Sequence, residues 1–265
     1  MVTAFLAAST WRPAVSDAAL LPLPRNVVAY DAPAIVGSLP FEAREVPPLV
    51  TSSGPGPVDP FPGRTYGNLR GSECLEALEG RAIAFTRPGH ARGVETPVRL
   101  TGALHGITFR GESVDWETSA RREVLDCRLV LALDDLAALL AAHGVTEVLH
   151  LGIYRGDVPI RPHERPLHHV AGLAIDVAAF VKSDGARLDV RRDFHGRVGA
   201  HTCASNAMPI APAPPTTNSA ELRGILCDVA DGKTFHQVLT PNHDVRHRDH
   251  FHLEVMRRTE WTMVE

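Results

Sequence analysis

The sequence predicts an α+β domain, helices packed on a central antiparallel or mixed sheet. Three observations point there: short apolar runs separated by Gly, Pro and Asp; one strongly periodic helix; and a two-residue hairpin signal, Asp184-Gly185. At 265 residues, with 44% hydrophobic and 22% charged residues, the chain can bury a sizeable core. It fits one large domain, or a domain with an extension.

Eleven of the 21 prolines fall in residues 1–65, including Pro47-Pro48, Pro55, Pro57, Pro60 and Pro62. Proline removes a backbone donor and fixes φ, so this stretch reads as an extended arm or linker. The folded domain is then residues 66–265. Ser72 is placed to cap a short helix through Leu78, stopped at Gly80, and Ala82–Phe85 reads as a strand. Pro97–Leu100 and Gly106–Phe109 suggest two more strands with a glycine-containing turn between them. Val124–Leu133 is a further apolar run. Asp134 then opens a helix over 135–142, with Leu136, Leu139 and Leu140 in one stripe and Gly144 as its stop. Glu147–Tyr154 and 173–181 are strands, and Arg187–Val190 returns after the Asp184-Gly185 turn. Residues 205–219, rich in proline, read as a loop. Ser219–Val229 reads as a helix capped by Ser219, and Phe235–Leu239 and His250–Val255 as the last strands.

Several function classes are excluded early. A net charge of −4, with no basic stripe, argues against nucleic acid as a partner. No apolar run reaches the roughly 18 residues of a membrane-spanning helix. No Lys or Arg precedes Arg12, so the charged start of an export signal is missing from residues 1–10. Either the protein is cytosolic, or the sequence begins inside or just after such a signal. The four cysteines, Cys74, Cys127, Cys203 and Cys227, contain no C-x-x-C spacing. They permit three disulfide pairings, or four buried thiols. Pairing sequence neighbours would put one bridge in each half.

Histidine is unevenly placed: 12 of 14 lie from His143 onward, four of them within His243–His252. Alone, such a cluster reads more readily as a solvated His-rich loop. On a strand, however, His250, His252 and Glu254 share one face and Phe251, Leu253 and Val255 the other. A second feature adds weight. Asp176 interrupts an apolar strand between Ile175 and Val177, and a buried carboxylate needs a partner. Gly172, Ala174 and Ala178 leave room above it, and Gly172 lets the chain turn so that His169 reaches back. His169, Asp176 and His252 then make a two-imidazole, one-carboxylate set, the type that leaves a fourth zinc position open to water. His250 is the nearby base, with Glu254 the less favoured candidate. His195, His201 and His236 read as surface or core histidines. No G-x-S-x-G, H-E-x-x-H or phosphate-binding glycine loop occurs.

With His169-x6-Asp176 followed by His250-x-His252, the sequence resembles zinc peptidases that include D-alanyl-D-alanine carboxypeptidases and murein endopeptidases. It is more closely similar to the bacterial extensin-like C-terminal domain family. The words that carry the likeness are Gly172-Leu173-Ala174-Ile175-Asp176-Val177 with Phe180, Leu239-Thr240-Pro241-Asn242, and His247-Arg248-Asp249-His250-Phe251-His252-Leu253. It covers about residues 125–255 and reaches weakly back to Cys74. The resemblance implies a D-Ala-D-Ala carboxypeptidase-like fold of the hedgehog/DD-peptidase type, and a periplasmic or secreted location. It implies Zn2+ on His169, Asp176 and His252, His250 assisting catalysis, and Arg155 holding a substrate carboxylate or an oxyanion. The expected function is a metallopeptidase acting on a peptide or amide bond of peptidoglycan stems. A zinc-containing wall-binding module without catalysis is the alternative, and an amidase of a small metabolite a third reading. Two departures stand out: Leu167 replaces the family's serine two positions before the first histidine, and Tyr154 replaces the cysteine before the arginine. His168 competes with His169 by a register slip, but the six-residue spacing favours His169.

Overall fold

The structure, a computed structural model, describes residues 59–112, 123–160, 168–203 and 215–265. Contacts divide the chain into residues 1–53 and 54–265, and everything below concerns the second unit. Most of the assigned arm, with Leu167 and most of the 205–219 loop, lies outside the described residues. The last residues given to the arm are helical: α1 is Pro62–Asn68. Proline suits its first position, where the missing N–H would have no partner anyway. Gly67 brings α1 against the chain near Met256, whose carbonyl oxygen would lie 2.2 Å from any Cβ placed there.

The second helix, α2, is Gly71–Gly80, so it starts ahead of the expected Ser72 cap. Arg70 is its N-cap, and the Glu73 carboxylate accepts a hydrogen bond from the Arg70 N–H at 2.8 Å. The strand expected at Ala82–Phe85 is only β1, Phe85–Thr86, because Ala82 takes φ +54° in the turn after α2. The next strands are β2 (Pro97–Leu100), β3 (Thr108–Gly111) and β4 (Leu125–Asp126). β1, β2 and β4 form a small antiparallel sheet, while β3 joins a different, larger one.

The long helix α3 is Cys127–Ala142 and begins eight residues before the sequence suggested. Its cap is Asp126, whose side chain accepts from the Arg128 N–H, and Asp134 is an interior residue. The physical reason is burial. Residues 127–134 are all buried, so their apolar run carries no amphipathic period to read. The buried Arg128 is neutralised by Asp126 at 2.9 Å and donates to the Leu69 carbonyl at 2.7 Å. A disulfide from Cys74 in α2 to Cys127 in α3 joins the two helices.

After α3 come β5 (Val145–Gly152), β6 (Ala174–Lys182) and β7 (Arg187–Asp189), with the expected turn at Asp184-Gly185. Asp184 accepts from the Ala186 N–H, and Gly185 takes φ +82°. A short helix, α4 (Val190–Asp193), follows. α5 is Thr217–Asp231; its cap is Thr216, whose side chain accepts from the Ser219 N–H, rather than Ser219 itself. Cys227 on α5 is disulfide-bonded to Cys203. The chain ends with β8 (Gln237–Leu239), β9 (Phe251–Glu254) and an unanticipated β10 (Met263–Val264).

The main sheet runs β10-β8-β9-β6-β5-β3, with β7 also pairing with β6. β3 with β5 and β10 with β8 are parallel and the other pairs antiparallel, so the sheet is mixed, as expected. Leucines of α3 and α5, with Phe180, Phe194 and Phe251, fill the core on one side. The candidate metal-binding residues lie on the opposite side of β6 and β9.

Candidate metal centre

The centre is built on two neighbouring strands. In the β6–β9 register Asp176 lies directly across from His252, and Ala174 across from Glu254. Directly paired residues point to the same sheet face, so Asp176, His252 and Glu254 share one face. Val177 and Ile175, paired with Phe251 and Leu253, share the core face. The alternation expected for 250–255 holds over the four residues of β9, 251–254, with His250 just ahead of the strand and Val255 just past it. On the other side of β6, Gly152 of β5 stands across from Asp176 and puts no side chain over it.

His169 arrives from a single helical turn, His168–Ala171, just before β6. Gly172 closes that turn at φ +64°, and its Cα lies so close to β4 that a Cβ would be 2.9 Å from the Asp126 nitrogen. A side chain at 172 would meet both a backbone clash and an unfavourable φ. The hydrogen bonds from Gly172 N–H to His169 O and from Leu173 N–H to His168 O hold the turn. Arg155, just past β5, donates its N–H to the His169 carbonyl and so sits beside it.

These elements bring His169, Asp176 and His252 together, with one potential ligand atom from each inside 4.8 Å of the others. All three residues are buried. Asp176 Oδ1 is the focus: His169 Nε2 is 3.0 Å away, His252 Nδ1 2.9 Å and His250 Nε2 3.5 Å. Its other oxygen accepts from Arg155 Nη2 at 2.9 Å. Every member also has its second polar atom engaged. His169 Nδ1 donates to the Ile153 carbonyl at 2.9 Å, His252 Nε2 faces Glu254 at 3.4 Å, and His250 Nδ1 faces Asp249 at 2.9 Å. Glu254 is itself paired with His168.

Electrostatics follow from this packing. Burial alone pushes the Asp176 carboxyl upward, since removing a carboxylate from water costs several kcal/mol. Hydrogen bonds with His169 and His252 outweigh that and hold it far below the usual carboxylate range. Glu254 is lowered in the same way by His168 and His252. For His252 burial opposes charge, but Asp176 and Glu254 together win and hold it at about 9.

Zinc fits this donor set. With His169 Nδ1 held by the Ile153 carbonyl and His252 Nε2 by Glu254, the inward nitrogens, Nε2 of His169 and Nδ1 of His252, are the ones that would give up their proton on the Asp176 side and offer a lone pair to a metal. Two imidazole nitrogens and one carboxylate oxygen, all inward, are the donor types and number of an open zinc site.

The expected site residues are therefore all assembled here: His169, Asp176 and His252 as the trio, and His250 and Arg155 touching the same carboxylate. His168 and Glu254 form a second trio with His252. Sequence reasoning missed His150 on β5. It is 3% exposed, neither ring nitrogen has a hydrogen-bond partner, and burial lowers it to about 4 in the fields of Asp176 and His169. The signal was present as a histidine within Val148-Leu149-His150-Leu151, an apolar strand. β5 has register shifts on both sides of His150, an irregularity that the sequence does not announce.

The Thr240-Pro241-Asn242 word serves structure. Asn242 is buried, accepts from the Arg197 N–H, and donates to Thr202 Oγ1, pinning the loop before Cys203 beside β8.

No curated protein and no solved structure matches the chain. Residues 216–264, which hold α5 through β10 and so His250, His252 and Glu254 but not His169, Asp176 or Arg155, match the family described as Extensin-like protein C-terminus.

Proposed function

We propose that the protein is a zinc-dependent hydrolase of a peptide or amide bond, with peptidoglycan stem peptides as substrate. The observation that carries this is the convergence of His169 Nε2, His252 Nδ1 and Asp176 Oδ1, each on a side chain whose remaining polar atom is already held. A zinc ion in that position would polarise a scissile carbonyl and bring the pKa of a water down to about 7.

The chain's own groups supply the rest. Nδ1–H of His250 donates to Asp249, which keeps the Nε2 lone pair on the side of Asp176. That nitrogen is placed to take a proton and return it to a leaving amine. The Arg155 side chain is 54% exposed and spends one N–H on Asp176, leaving further donors for a substrate carboxylate or a developing oxyanion. The two disulfides favour an oxidising compartment, consistent with a periplasmic or secreted enzyme.

Incubation with purified muropeptides, followed by mass spectrometry, tests the reading. Cleavage abolished by a chelator and restored by zinc is the expected result. Tight muropeptide binding without turnover points instead to the wall-binding module, and neither binding nor cleavage overturns the substrate assignment.

A further inference from the structure

A second charged feature lies away from these ligands. Past Glu254 the chain leaves β9 and reaches Arg257 and Arg258. These two, with Arg70 and Arg128, line a pocket of about 330 Å³ whose one carboxylate is Glu95. Two of the four guanidiniums are neutralised. Arg128, 3% exposed, holds Asp126 at 2.9 Å and Glu95 at 3.1 Å, while Arg257 Nη1 donates to the other Glu95 oxygen at 2.7 Å. The rest of the positive charge is unanswered. Arg257 Nη2 is buried with no hydrogen-bond partner. Arg70 and Arg258 are exposed and form no ion pair among the described residues.

A buried guanidinium N–H without an acceptor is costly, because the group loses water and gains nothing. An anion in the pocket meets the two free guanidiniums of Arg70 and Arg258, and removes that cost when Arg257 turns its buried N–H towards it. Forked N–H donors match the spacing of oxygens in carboxylate and phosphate groups. We propose that this pocket is a binding site for an oxyanion group, a phosphate or a carboxylate carried by a ligand, separate from the metal centre. Glu95 bridges Arg128 and Arg257, one oxygen to each, and so fixes these two guanidiniums on one wall of the pocket. The site does not depend on whether the metal centre is catalytic.

The test uses the full chain in low-salt buffer, titrated calorimetrically with inorganic phosphate and, separately, with acetate. One of the two anions is expected to bind with a dissociation constant on the order of 1 mM. Preference for phosphate or acetate identifies the tetrahedral or the planar group. Arg70→Gln with Arg258→Gln, both exposed, should leave the melting temperature unchanged and weaken binding at least about tenfold. Arg257→Gln should also weaken binding, and Asp176→Asn should leave binding intact. The proposal is overturned by no binding of either anion up to about 50 mM, by binding that survives the double variant, or by binding lost with Asp176→Asn.

Discussion

Two His-Asp-His trios in this molecule have the same composition and opposite physical character. His169, Asp176 and His252 are buried on strand β6, strand β9 and the turn between β5 and β6. His243, Asp244 and His247 also bring their donor atoms within 4.8 Å, but on a partly exposed turn between β8 and β9. In the second trio His247 Nδ1 lies 2.8 Å from Asp244, while His243 is 4.0 Å from it and turned to Glu265 at 2.6 Å. Asp244 also accepts from the Arg246 and His247 N–H groups, so it behaves as a turn cap. Exposed pairs of that kind contribute about 1 kcal/mol or less. The trios even touch, with the His247 and His252 rings 5.8 Å apart. The lesson is that ligand chemistry is a matter of burial and second partners more than of residue type.

The comparison can be broken at its strongest point first. Asp176→Ala removes the carboxylate on which three imidazoles converge, and zinc affinity should fall by at least about a thousandfold, beyond the tenfold to hundredfold typical of outer partners. Metal content after dialysis against buffered zinc reads this, and an unchanged content would sink the assignment.

Next in size is an acid effect on the buried side. His150 titrates at about 4 in the folded protein against an ordinary 6.5. Between those values the unfolded chain binds a proton that the folded chain does not, so stability falls as pH falls. In chelator-treated protein the loss from pH 6.5 to 4 should be on the order of 3 kcal/mol greater than in His150→Gln. Urea unfolding at several pH values measures it; parallel curves would show that His150 is not the group responsible.

A smaller effect is expected at Glu254, which faces His252 Nε2. Glu254→Gln keeps the shape but weakens the hold on the ring, and zinc affinity should drop about tenfold to hundredfold. A competition titration with a chromogenic chelator gives the number. The smallest change belongs to the exposed trio: Asp244→Ala should alter zinc affinity by less than about twofold, in keeping with its solvent screening. A loss as large as that of Asp176→Ala would reverse the comparison.

Legibility in the sequence followed locality. The β9 alternation and the Asp184-Gly185 turn were readable because each depends on neighbours in the chain. Asp176 was readable because a carboxylate between Ile175 and Val177 conflicts with its surroundings, and conflict is a signal. The start of α3 was not readable, because a helix buried on all sides has no polar stripe to set its phase. His150 escaped for a related reason: a lone histidine in an apolar strand looks like a core residue until its unpartnered nitrogens are seen.

By itself, then, the sequence determined which residue types could bind a metal, their spacing along the chain, and the mixed α+β class. Only the tertiary structure decided that Asp176 and His252, 76 residues apart, are direct partners across two strands. It alone placed Arg155 on the same carboxylate and divided the histidines into a buried set and an exposed one. Strand pairing is nonlocal and a one-residue slip turns every side chain to the other face. The register of β6 against β9 is therefore what converts a histidine-rich sequence into a candidate metal centre.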